Sequence, residues 1–508
     1  MRRICLAALL ALPMAPALAP ALAQEPPTQT LKIGLREDAD LLDPTLSRTY
    51  VGRIVLVSLC QSLFTYNDKL QIVPELAAGY EWSDSKTLVV KLRPGLTFHD
   101  GSPMDAAAVK YSLERHATMS GSARKSDVAS MDHAEVVDPT TLRIVLKSPD
   151  AVFMSQLAVR AGVVVSPKAA EALGKDFGLH PVCAGPYKFV ERIAQDRIVL
   201  DRFAEHPDAA NYHFNRVTYQ PIVDSNVRLA NLRAGSIDIS ESIVPNDVAA
   251  VRKDPKLKLI AFGGLGYTGI TFNVGHGPRA DTPFGRDPRI RRAFELAIDR
   301  AAIVQVVYGG LYDVVAQPVP PTSPFYAPEV QPPARDIAAA RALLLQAGVK
   351  TPVTLNLMVT NSPDAQQTGE VIQAMAAEAG FDVKLNAMEF ATSLGAADRG
   401  DYEAFLIGWS GRPDADGNIR DLLRTGGPLN NGTYSNPTFD GLLDQARMVN
   451  DMAQRRALYG RAFEVVHQDL PLMYLYSAKN IVGMSARVSG FVPVADGMIR
   501  LAGVELAK

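Results

Sequence analysis

Cysteine is scarce in this sequence: there are three among 508 residues, and only Cys60 and Cys183 lie beyond the N-terminal apolar segment that holds Cys5. Neither has a ligand-like neighbour at metal spacing, so in an oxidising compartment the two read as a disulfide, with two separately buried thiols as the alternative. Surplus charge is also absent. With 52 basic against 54 acidic residues, a net charge of -2 and no run of like charges, nothing electrostatic points to nucleic acid or an anionic membrane as partner. No apolar run after the N-terminus is long enough to cross a bilayer, which takes about 20 residues.

Catalytic signatures are missing too. There is no Gly-x-x-x-x-Gly-Lys phosphate loop, and Gly408-Trp409-Ser410-Gly411 lacks the Gly-x-Ser-x-Gly spacing of a nucleophile elbow. His116, His133, His180, His206 and His276 fall at no metal-like spacing, and His99-Asp100-Gly101 is first a turn signal. No cofactor is expected, and a hydrolase is the weak alternative. No internal repeat is found.

What is present begins with Arg2-Arg3, an apolar run from Ile4 to Leu12, and Ala21-Leu22-Ala23 before the polar Gln24-Glu25-Pro26-Pro27. That layout predicts a cleaved secretory signal over residues 1–23, with no cysteine just after it to carry lipid, and hence a freely diffusing periplasmic protein. A membrane anchor fits less well, because Pro13, Pro16 and Pro20 interrupt the segment. At 47% apolar and 21% charged residues, the remainder is globular in composition and large enough for two or three packed units.

In the first half, alternating apolar residues flank tight turns. Hairpins are predicted for Tyr80–Trp82 with Thr87–Leu92, Ala134–Val137 with Leu142–Leu146, and Tyr187–Glu191 with Arg197–Arg202. Ser102-Pro103-Met104-Asp105 reads as a helix start with its proline at the first helical position. The second half alternates helices and strands, with helix starts at Asp287-Pro288, Asp299, Asp336 and Ser362-Pro363, and with stops at Gly309-Gly310, Gly348 and Gly380. Pro318 to Pro333 is expected to wrap the surface as a loop. Together these predict an α/β architecture.

A series of phrases then resembles family 5 of the bacterial extracellular solute-binding proteins, the group that serves dipeptide, oligopeptide, nickel-chelate and glutathione importers. The phrases are Leu42-Asp43-Pro44, Pro74-Glu75-Leu76-Ala77, Leu92 to Gly101, Val109 to Leu113, Ala184-Gly185-Pro186-Tyr187, Gly235 to Ile239, Asp287 to Phe294, Ala297 to Arg300 and Tyr434 to Pro437. Their order and spacing cover nearly the whole mature chain. The resemblance implies a two-lobed periplasmic-binding-protein fold (class II-like, with an extra N-terminal subdomain) whose lobes are joined by a two-strand hinge. Lobe I spans 25–265 with an inserted subdomain at about 60–180, lobe II spans 266–482, and residues 483–508 return to lobe I.

The same resemblance implies a non-enzymatic, monomeric carrier that binds a small solute, foremost a peptide, between its lobes. It hands that solute to the transmembrane subunits of an ABC permease whose ATPase is a separate chain. A charge on an engulfed ligand needs a partner, because an unpaired buried ion costs several kcal/mol. Peptide-binding members supply an aspartate from the loop after a Gly-Trp strand end, which here makes Asp414 the first candidate for a ligand ammonium and Asp416 the second. Read without the family, Pro413-Asp414-Ala415-Asp416-Gly417 is a solvated turn whose carboxylates satisfy their own backbone. Trp409 is a candidate stacking surface or a core residue, and Arg412 a partner for a ligand carboxylate or for Asp414. Gln366 and Gln367 stand where dipeptide-selective members resemble one another in placing arginine, which argues against strict dipeptide selectivity. Asn361, Tyr434 and Tyr50 complete the expected lining. A metal chelate, haem, a glutathione-like molecule or another cationic solute on the same scaffold stays open.

Overall fold

The computed structural model describes residues 29–507, so the export signal read at 1–23 lies outside the described residues. The predicted hairpins form where alternation meets a tight turn. Ala77–Trp82 pairs with Thr87–Leu92, that strand with Thr141–Leu146, and the last with Met131–Asp138, giving a four-stranded antiparallel sheet. One face of it buries Leu88, Val90, Leu142 and Ile144 against Val109 and Leu113 of the helix Ala106–Thr118. That helix starts later than Ser102-Pro103 suggested. Met104 donates its N–H to Leu96, holding the chain extended to Asp105, and the Asp105 carboxylate accepts the Ala108 N–H at 3.0 Å and caps the helix.

Two larger sheets divide the rest. The first runs in the order Leu257–Phe262, Asn480–Ser485, Ile239–Ser240, Thr30–Leu35, Arg216–Pro221, Arg197–Arg202 and Tyr187–Ile193. In it Thr30–Leu35 is parallel to both of its neighbours. The second runs in the order Asp313–Val314, Leu472–Ser477, Tyr267–Phe272, Ala404–Trp409, Val353–Thr360 and Phe381–Met388, and Val353–Thr360 is again parallel on both sides. Each sheet has its own hydrophobic core, so the molecule has two lobes.

The chain passes between the sheets at 263–266 and again at 478–479. Asn480–Ser485 pairs residue for residue with Leu257–Phe262, so the strand rejoining the first sheet begins three residues before position 483. The crossings are tightly packed: a Cβ on Gly264 would lie 2.3 Å from the Ala478 carbonyl oxygen, and one on Gly266 would lie 1.8 Å from that of Trp409.

Aspartates cap the second lobe's helices as their sequence positions predict. Asp287, Asp299 and Asp336 each accept a backbone N–H at the start of Pro288–Ala297, Arg300–Tyr308 and Ile337–Gln346. Residues 318–333 form no regular element but are more than a surface wrap. The Gln317 amide donates to the Ala327 and Val330 carbonyls and accepts the Ala327 N–H, and this inserts Phe325, Ala327 and Val330 into a core. Cys60 and Cys183 form a disulfide (S–S 2.02 Å), buried in the core of the first lobe.

Candidate functional site

Both parallel sets of strands end facing the same space. In open α/β sheets, ligands bind beyond the carboxyl ends of the strands, where the loops diverge. Here a cavity of about 490 Å³ lies there, lined by Arg36, Glu37 and Glu241 at strand ends of the first sheet and by Asn361, Glu389 and Trp409 at strand ends of the second. Helices follow those strands, and four begin at the wall: Tyr50–Leu59, Ser225–Ala234, Pro363–Ala379 and Phe390–Asp398. Thr49, Asp224 and Glu389 cap three of them, whereas Pro363–Ala379 has no side-chain cap, and its N–H groups and dipole favour an anionic group nearby, beginning with its own Asp364.

Most charges on the wall are already paired. Arg36 holds Glu241 through Nε and Nη2 at 2.8 and 3.0 Å, and its guanidinium lies over the Tyr50 ring, 4.9 Å from the centroid. Asp38 accepts from Arg192 at 3.2 Å, and Arg228 donates to the carbonyls of Ile222, Val223 and Ser242. Arg48 reaches across to Asp398 of the other lobe with two bonds of 2.8 and 3.1 Å. Three charged groups are different. Glu37, Asp364 and Lys479 line the cavity, and none forms an ion pair or a side-chain hydrogen bond among the described residues; Asp364 stands in the first turn of the helix Pro363–Ala379. Aromatic rings supply another part of the wall: Tyr308 stacks on Tyr312 at 4.5 Å, and its hydroxyl bonds that of Tyr476 at 2.5 Å and the Thr368 hydroxyl at 2.8 Å.

Residues 71–431 match the family model described as bacterial extracellular solute-binding proteins, family 5 Middle. The chain belongs to that family. It is 31% identical over 480 residues to the glutathione-binding protein GsiB of Pectobacterium atrosepticum, covering 92% of each chain. Among solved structures, the murein tripeptide binding protein MppA of Escherichia coli superposes with a TM-score of 0.88 at 24% identity, covering 95% of this chain and 99% of the other. The binding protein AgaA of A. tumefaciens R10, solved with agropinic acid, gives 0.86 at 26% identity over 94% and 99%. Family 5 proteins bind solutes for import rather than transform them. Among the described residues no helix is long and apolar enough to cross a membrane.

The residues expected from the family separate into two groups. Trp409, Tyr50 and Asn361 line the cavity. The Trp409 indole N–H is fixed by the Gly417 carbonyl (3.0 Å) and the Asn418 side chain (3.2 Å), and Arg412 covers one side of its ring at 4.9 Å. The Tyr50 hydroxyl donates to the Gly497 carbonyl at 2.8 Å.

Asp414, Asp416, Arg412, Gln366, Gln367 and Tyr434 do not line it. Asp414 makes two 2.9 Å bonds to Arg455, and its other neighbour is the Asp416 N–H, which it caps. Asp416 is bound by Arg447 at 2.6 Å, Arg420 at 3.2 Å and the Tyr459 hydroxyl at 3.3 Å. Burial opposes the Asp416 charge, but Arg447 and Arg420 outweigh it and hold the carboxyl below the usual range. The ammonium role expected of Asp414 and Asp416 finds no support in this geometry: both carboxylates are anchored among the helices Asp416–Leu423, Pro437–Met448 and Met452–Asp469, and neither lines the cavity. Arg412 bonds the Gly411 carbonyl and the Ser410 hydroxyl, not Asp414. Gln366 turns back onto the Asn361 carbonyl, Gln367 is exposed, and the Tyr434 hydroxyl is buried on Asp469 at 2.6 Å.

Reading the sequence missed Glu37 and Lys479. A signal for the first was available: Arg36-Glu37-Asp38 directly follows the apolar alternation Leu31, Ile33, Leu35. Lys479, in a two-residue crossing between strands, had none.

Proposed function

We propose that this protein captures a short peptide of about glutathione size between its lobes. It then delivers the peptide, chemically unchanged, to the membrane permease of an ABC importer whose ATPase is a separate chain. The carrying observation is the cavity itself, bounded by strand ends of both lobes and about 490 Å³ in volume. A sphere of that volume is about 10 Å across, the reach of roughly three extended residues at about 3.3–3.6 Å each. It falls within the ~300–1,000 Å³ typical of small-molecule sites. The relatives described as binding glutathione and a murein tripeptide agree with that size.

The charge pattern fits a zwitterion. Lys479 and the uncapped N-terminus of Pro363–Ala379 offer positive potential to carboxylates, while the tyrosines and Trp409 offer apolar faces with polar edges. Lys479 sits in one of the two crossings, so a ligand held by it and by both sheets favours the closed form by its differential affinity. The permease reads that closed form. We further infer export through the cleaved signal at 1–23, which places this work in the periplasm.

The test is mass spectrometry of small molecules released by denaturing protein freshly purified from its own periplasm, followed by calorimetry with reduced glutathione and with trialanine. Recovery of a di- or tripeptide-class molecule and 1:1 binding of a probe is the expected result. Release of a metal chelate or haem, with no heat from either probe, would sink the short-peptide reading.

A further inference from the structure

Glu37 is half-buried on the cavity wall, and among the described residues nothing pairs with it. The cation that acts on it among the described residues is Arg36, which is already committed twice to Glu241 and once to the Tyr50 ring. The acids facing Glu37 also have work elsewhere. Asp40 accepts from the Ser47 and Thr49 hydroxyls and the Arg48 N–H, and Glu389, from the opposite lobe, caps its own helix at Thr392. Glu37 is therefore the surplus carboxylate on the first lobe's wall: the acids beside it are satisfied, and the cavity's other unpaired acid, Asp364, stands in the first turn of a second-lobe helix whose dipole supports its charge.

We propose that Glu37 is the counter-charge for the ligand's ammonium group, and that the arriving ammonium drives the Glu37 proton into solvent. This rests on the short-peptide reading and names the ammonium site within it. In the empty cleft, burial pushes the Glu37 carboxyl up to about 8; Arg36 opposes that shift, and Glu241, Asp40 and Glu389 add to it. Near neutral pH the empty site thus holds a neutral carboxyl. When R–NH₃⁺ binds, the carboxyl O–H breaks, the carboxylate pairs with the ammonium, and the proton passes to buffer. No other bond changes. An acid kept neutral until its cation arrives avoids leaving an unpaired buried charge in the unloaded protein.

Linkage fixes the sign of the pH effect. Affinity for an ammonium rises with pH, by at most about tenfold per unit, up to about 8 where the empty site is itself ionised. Between about pH 5.5 and 7 a peptide amine keeps its own charge, so the trend belongs to the protein.

The experiment is calorimetry of the full protein with reduced glutathione, trialanine and N-acetyl-trialanine, in two buffers of different ionisation heat. We expect proton release with the free-amine probes and affinity that climbs from about pH 5.5 to 7, with N-acetyl-trialanine weaker by at least about tenfold. Glu37→Gln should weaken the free-amine probes by about 10- to 100-fold and abolish the buffer-dependent heat. The buffer dependence is read on the wild type, so it holds even if the variant folds poorly. If the wild type binds trialanine and its N-acetyl form equally, with no buffer-dependent heat, the Glu37 assignment is overturned while the short-peptide reading stands. If it binds neither free-amine probe, the short-peptide reading fails and the assignment fails with it.

Discussion

Two acidic stretches follow strands that end at the cavity: Glu37-Asp38, after Thr30–Leu35, and Asp414 to Asp416, after Ala404–Trp409. The first lines the cavity and the second does not. In the second stretch every carboxylate oxygen finds an arginine or a hydroxyl, so the acids hold three helices together. In the first, Asp38 is held by Arg192 and Glu37 is left over. A carboxylate's role follows from whether arginines reach it first, and not from its neighbours in sequence.

That contrast is easiest to break at Asp416, whose side chain is only 1% exposed. Asp416→Ala takes the nearest counter-charge from Arg447, leaving it only Asp150 at 3.5 Å, and one of two from Arg420, and should cost about 3 kcal/mol in denaturant unfolding. Because the folded carboxyl lies below its free value of 3.8, its stabilisation is present above that pH and is lost as pH falls through the folded value. Asp414→Ala removes a two-bond pair that is slightly more exposed, at 11%, and should cost less, about 2–3 kcal/mol. Both variants, where folded, should bind peptide probes as the wild type does. A selective loss of free-amine ligands in Asp414→Ala with unchanged stability would reverse the comparison.

Glu37→Gln should do the opposite: at acid pH, where the wild-type carboxyl is also neutral, stability should be nearly unchanged, and as pH rises the variant should become the more stable of the two. Its pH signature is sharper. The folded carboxyl lies above its free value of 4.5, so its contribution is full below that pH and declines as pH rises through about 8. Unfolding curves taken across that window should fall in the wild type and flatten in the variant. The smallest effect belongs to Arg48 and Asp398, whose side chains are 26% and 40% exposed. A double-mutant cycle should give under about 1 kcal/mol, fading with salt, although the pair bridges the lobes.

What could be read from the sequence divides along a physical line. Hairpins such as Tyr80–Trp82 with Thr87–Leu92 and caps such as Asp299 depend on residues a few positions apart, and the structure has them where local chemistry put them. The exception at Ser102 arose from a backbone bond between Met104 and Leu96, which holds the capping phrase extended and moves the helix start to Asp105. The acids after Trp409 were a different problem. Arg420 lies only four residues from Asp416, but Arg455 and Arg447, which hold Asp414 and Asp416, lie 41 and 31 residues downstream on helices whose packing no local pattern announces. The family's phrases located the loop correctly but could not show that arginines had filled it. Trp409, Tyr50 and Asn361 were legible because strand ends converge in this fold, whatever the side chains do afterwards.

The glycine-tight crossing at 263–266 has a mechanical consequence. Gly264 presses on Ala478 of the second crossing and Gly266 on Trp409 at the cavity wall, so any side chain larger than hydrogen at either position would meet backbone. A substitution there is expected to disturb the seam between the lobes and the cavity wall together, like a pebble caught in the spine of a book.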